Sequence, residues 1–88
     1  MAHHVEILIF PDCQMLDATG PAQVFASAND INAGRSKRLY EIALVAEDPE
    51  VMCSAGMVLK CRPMSVTSGA PDTAIVAGGR GVNAVLAR

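Results

Sequence analysis

With 88 residues, the chain has room for one small domain that buries a modest share of its surface. A net charge of -2, one Tyr, two Phe and no Trp argue against nucleic-acid binding through this segment, which lacks both a basic patch and stacking aromatics. No apolar run approaches the roughly 20 residues of a membrane helix, Val5–Phe10 is too short for a signal-peptide core, and three cysteines without paired spacing fit a reducing, cytoplasmic setting.

The first predicted element is a strand over residues 4–10, Val5-Glu6-Ile7-Leu8-Ile9-Phe10, which turns at Pro11-Asp12-Cys13. His3 and His4, at its start, read as part of a frayed terminus rather than as metal ligands. A helix is expected over residues 20–33, with Gly20 as N-cap and Pro21 at the first helical position. Pro21, Val24, Phe25 and Ala28 then form the stripe that packs on a sheet. Gly34 terminates the helix, and Arg35-Ser36-Lys37-Arg38 is a solvated loop.

A second strand covers residues 40–46 and ends at the turn Glu47-Asp48-Pro49-Glu50. A hairpin follows, Val51-Met52-Cys53 against Met57-Val58-Leu59, with Ser54-Ala55-Gly56 turning between them. That register does not set Cys53 opposite Cys61, so no disulfide joins them. Residues 63–71 connect onward, with one helical turn around 65–68, to a third strand at 73–77. A second helix opens near Val82 and carries Val85 and Leu86 at helical spacing. Near-continuous apolar strands belong to a parallel sheet covered by helices, so the fold class is α/β, doubly wound, with a small β-hairpin. Three strands suited to the main sheet leave it incomplete, and residues 1–88 are expected to be the front part of one larger α/β domain.

In open parallel sheets, ligands bind beyond the carboxyl ends of the strands where strand order reverses. Two stretches share that construction: strand, then Pro11-Asp12-Cys13; and strand, then Gly78-Gly79-Arg80-Gly81. If the two strands are neighbours, these loops wall a crevice. Cys13 is a candidate there as an exposed thiol, against the alternative of a small buried filler. Asp17 is a candidate carboxylate, against the alternative of a residue that merely complements a helix dipole. Gly78 and Gly79 allow close backbone approach to a ligand. Arg80 can meet a carboxylate or face solvent. The loop is no phosphate-binding fingerprint, because the Walker lysine and the spaced G-x-G-x-x-G are absent.

The runs ILIFPDCQMLDATGPAQVF, YEIALVAEDPEVMCSAGMVL and DTAIVAGGRGV resemble the ThiJ/PfpI superfamily of class I glutamine amidotransferase-like domains. The flavour is that of the domain at the N-terminus of AraC-type transcriptional regulators, with isonitrile hydratases as near relatives. Phe10-Pro11, Leu16-Asp17, Gly20-Pro21 and Val24-Phe25 carry the first motif and Gly78-Gly79 the second. The resemblance spans residues 4–88 and implies a flavodoxin-like fold of which this chain is the front half.

It also implies a cysteine on a strand-to-helix elbow after this segment. Cys13, Cys53 and Cys61 all precede the Gly78-Gly79 strand and do not match it, so no residue here is catalytic by itself. Asp17 would be the acidic partner of that missing cysteine, and backbone N–H groups of the glycine loop would help form an oxyanion hole. The expected function is small-molecule sensing by a regulator; the alternative is a truncated cysteine-dependent enzyme of the isonitrile hydratase or glyoxalase/deglycase kind. A scaffold that dimerises without a ligand is the plainest reading. The resemblance implies a homodimer through the hairpin and DNA contact only through a further C-terminal module; no cofactor or metal is expected.

Overall fold

The computed structural model describes residues 2–32, 39–64 and 70–80. The expected second helix, Gly34, the 35–38 loop and the turn at 65–68 lie outside the described residues. Seven elements follow in chain order: β1 (His3–Leu8), α1 (Met15–Ile31), β2 (Tyr40–Ala46), β3 (Glu50–Met52), β4 (Val58–Lys60), β5 (Arg62–Pro63) and β6 (Thr73–Val76). The main sheet has the order β5-β2-β1-β6 and is parallel throughout, while β3 and β4 form a separate antiparallel pair. This is a flavodoxin-like arrangement, with the chain crossing from one side of β1 to the other.

β1 is central because its register meets strands on both flanks, Ile7 facing Leu44 in β2 and Ile75 in β6. Parallel partners share a face, so Val5, Ile7, Ile42, Leu44 and Ile75 lie on one side of the sheet. Val5 and Ile7 are buried there, with Ala18, Met15, Ala22 and Phe25 of α1 against that core. Tyr40 packs its ring on Phe25 with centroids 4.7 Å apart. Asn29 fixes the start of β2: its Oδ1 accepts from the N–H groups of Leu39 (3.1 Å) and Tyr40 (2.9 Å), and its Nδ2 donates to the Tyr40 carbonyl (2.9 Å).

The helix departs from its expected frame. It opens at Met15, with Gln14 as N-cap and Pro21 inside it. Gly20-Pro21 is a local start signal, but the chain has already reversed after β1, where Asp12 takes φ 63 and the Cys13 N–H bonds the Phe10 carbonyl at 3.0 Å. Burying Ala18 completely then outweighs the local preference. Proline at this place lacks the N–H that would reach the Asp17 carbonyl one turn earlier. The inward stripe is therefore Met15, Ala18, Ala22 and Phe25, and Val24 is exposed.

Two further expectations are corrected. His3 and His4 belong to β1: His3 Nε2 lies 2.7 Å from Thr73 Oγ1, and the His4 N–H donates to Asp72 Oδ2 at 2.8 Å. The main sheet gains a fourth strand, β5, too short to leave a pattern and placed at the edge, where Pro63 is tolerated. The hairpin is found as expected, with Val51 opposite Leu59 and Gly56 at φ 88 in the turn.

Ile7→Ala, at a side chain with 0% exposure, is expected to cost ~2–5 kcal/mol. Val76→Ala, on the opposite sheet face at 63% exposure, should stay within ~0.5 kcal/mol. A Cβ on Gly20 would meet nothing within 4 Å, so Gly20→Ala should stabilise the helix by ~0.5–1 kcal/mol. Urea midpoints of the three variants check these values; a destabilised Gly20→Ala would return that residue to a capping role.

Candidate functional site

β1 and β6 are neighbours, so the loops that follow them meet at the carboxyl edge of the sheet. They are tied together rather than held apart. The Gln14 N–H donates to the Gly78 carbonyl at 2.8 Å, and the Gly78 N–H donates to Asp17 Oδ2 at 3.0 Å. Asp17 stands in the first turn of α1, half-buried, where free N–H groups and the helix dipole favour a negative charge. Its carboxylate thus joins the helix start to the glycine loop.

Glycine suits both loop positions, for different reasons. A Cβ on Gly78 would sit 3.1 Å from Asp17 Oδ2. At Gly79, with φ 123, a Cβ would come within 2.6 Å of the Gln14 nitrogen and 3.1 Å of the Asp12 oxygen. Only glycine combines that backbone conformation with that approach. Since the Gly78 N–H is engaged by Asp17, it is not a free donor for an oxyanion.

Arg80 points elsewhere. Its guanidinium lies 3.7 Å from Asp12 Oδ1 and its side chain is 72% exposed, an ion pair worth at most ~1 kcal/mol. Asp12 was not singled out from the sequence, although a Pro-Asp turn accommodates the left-handed conformation. It also anchors the hairpin, its N–H donating to the Met52 carbonyl at 2.9 Å. The structure therefore gathers Asp17, Gly78 and Gly79 at one place and leaves Arg80 on the rim.

Cys13 is wholly buried, its sulfur 3.7 Å from that of Cys53. Burial, together with the Cys13 thiol and charge beside it, raises the Cys53 thiol from 9.0 to about 11. The protonated form is favoured by folding, so this stability is complete below pH 9.0 and is lost as pH climbs through about 11. Cys61 donates its S–H to the Asp48 carbonyl at 3.1 Å; burial and the charges of Asp48 and Glu50 raise its pKa. Among the described residues no group of His, Cys, Asp and Glu could hold a metal ion, and no helix is long and apolar enough to cross a membrane.

An apolar cavity of about 80 Å³ lies on the β2 side of the β1 terminus, lined by Phe10, Pro11, Ala46, Asp48, Val51 and Met64 among others. It is well below the ~300 Å³ at which drug-sized ligands are enclosed. Neither Asp17 nor Gly78 lines it.

No protein-family profile matches the chain. An uncharacterised protein encoded in the cpoL 5′ region of Streptomyces lividans is 35% identical over 78 residues, which cover 88% of this chain and 52% of that protein. The chain thus spans about half the length of the curated relative it matches. The crystal structure of an AraC family transcriptional regulator from Pseudomonas putida superposes with a TM-score of 0.69 at 18% identity, covering 97% of this chain and 56% of that one. Oxidised DJ-1 from Toxoplasma gondii gives 0.60 at 18% identity, over 90% of this chain and 40% of that one. These likenesses establish a shared fold.

Gly79→Ala is expected to destabilise the chain by ~1–3 kcal/mol through strain and close contact. Asp17→Ala, which strips the acceptor from a part-buried N–H, should cost ~1–3 kcal/mol, and Asp17→Asn should recover most of that loss by restoring an acceptor. Denaturant titration of the three variants is the check; an Asp17→Ala variant as stable as the parent would remove Asp17 from this structural role.

Proposed function

We propose that residues 1–88 are the front part of a ThiJ/PfpI-like domain that senses a small molecule within an AraC-type transcriptional regulator. The segment is not catalytic by itself. The carrying observation is the placement of Asp17: a half-buried carboxylate in the first turn of α1, at the β1/β6 switch point, with one oxygen engaged by the Gly78 N–H. The other oxygen makes no hydrogen bond among the described residues, which suits it to a ligand's N–H or O–H donor. Amines and amino acids, the class the family resemblance suggests, carry such donors. Coverage of 97% of this chain by the fold of a transcriptional regulator supports the same reading.

The remaining parts of the proposal follow. The polypeptide continues into the rest of the α/β domain and a DNA-reading module, and works in the cytoplasm. Two copies associate through the hairpin, whose Met52, Met57 and Val58 are exposed. No cofactor is called for.

The test starts with the intact mass of the protein from its native locus and the reading frame beyond Arg88. A mass of twice this chain's or more, with a helix-turn-helix downstream, is expected. Mobility-shift assays on its own upstream DNA should then respond to an amine and amino-acid panel. Asp17→Asn should lose at least a tenfold share of that response while keeping DNA affinity. Light scattering should report a dimer. Turnover of an isonitrile or an α-oxoaldehyde by the intact protein would overturn the regulatory reading in favour of an enzyme.

A further inference from the structure

Cys13 and Cys53 come from loops 40 residues apart in sequence and meet with their sulfurs 3.7 Å apart. The approach is built in by the backbone. On one side of the sulfurs the Asp12 N–H donates to the Met52 carbonyl, and on the other the Ser54 N–H donates to the Cys13 carbonyl, both at 2.9 Å. The hairpin turn is itself closed by Cys53 N–H to the Met57 carbonyl at 2.8 Å and Gly56 N–H to the Cys53 carbonyl at 2.9 Å. Both side chains are buried, at 0% and 1% exposure. Two thiols so held are in contact, and closing from 3.7 Å to the ~2.05 Å of a disulfide requires adjustment about the two side-chain torsions.

We propose that Cys13 and Cys53 form a reversible disulfide by exchange with a small-molecule disulfide. One cysteine thiolate attacks the small disulfide, giving a mixed disulfide and expelling one thiolate. The second cysteine attacks the protein sulfur of that intermediate and expels the other. Two protein thiols give up two protons and two electrons, and the small disulfide is reduced to two thiols. Access comes through opening of the hairpin, whose strands have three residues each. The attacking group is a thiolate, so exchange is faster as pH rises. The bridge ties the loop preceding Asp17 to the hairpin and shrinks the freedom of the unfolded chain. It depends only on the thiol geometry and stands apart from the ligand reading.

The full chain is equilibrated in glutathione buffers from fully reduced to fully oxidised, quenched with iodoacetamide and read by intact mass and peptide mapping. Expected at the oxidising end are a protein lighter by two hydrogens before alkylation, alkylation at Cys61 alone, and one linked pair of peptides carrying Cys13 and Cys53. Dithiothreitol restores all three thiols, and a Cys61→Ser variant behaves identically. In concentrated urea the Cys13–Cys53 bridge should form in several-fold lower yield. Three alkylated thiols at the oxidising end, lasting glutathione adducts, a bridge to Cys61, or equal yield in urea would each overturn the proposal.

Discussion

The carboxyl edge of the sheet depends on one pair of hydrogen bonds, Gln14 N–H to the Gly78 carbonyl and Gly78 N–H to Asp17. The residue that supplies both a donor and an acceptor is a glycine, because any side chain there would press on the carboxylate it serves. The first turn of α1 is placed by this knot. It fixes where α1 begins, and the start of α1 decides which side chains face the sheet. The helix could not open at Gly20 without abandoning Asp17 and the burial of Ala18.

The sheet shows why the two sides of β1 differ. Toward α1 the side chains of β1, β2 and β6 interlock with Met15, Ala18 and Phe25 into a continuous core. The opposite face carries Glu6, Leu8, Ala74 and Val76, and among the described residues no helix lies on it. A parallel sheet is stable when both faces are covered. β6, the strand most exposed on that face, has four residues and is held on one side by β1.

Much of this was legible in the sequence, for reasons that differ between elements. β2 and β6 announce themselves as apolar runs bounded by turn residues, and the hairpin by Ser54-Ala55-Gly56 between short apolar arms. The helix start was not, because Gly20-Pro21 is strong local punctuation and the force that overrides it is tertiary. β5 has two residues, one of them proline, and exists only because β2 offers an edge. Asp17 stood out through family resemblance, with its hydrogen bond to Gly78 invisible in either segment alone. The meeting of Cys13 with Cys53 is likewise a property of the folded chain, since no spacing rule links the two positions.

The 9–14 loop is where these separate features become one system. Ile9 donates to the β2 carbonyl of Val45, Asp12 and Cys13 bind the hairpin, and Gln14 binds the glycine loop. A loop so held on three sides has little room to adjust to one neighbour without disturbing the others. Cys13 and Gln14 are adjacent in this loop, so the hairpin and the glycine loop are fastened through one short run of backbone.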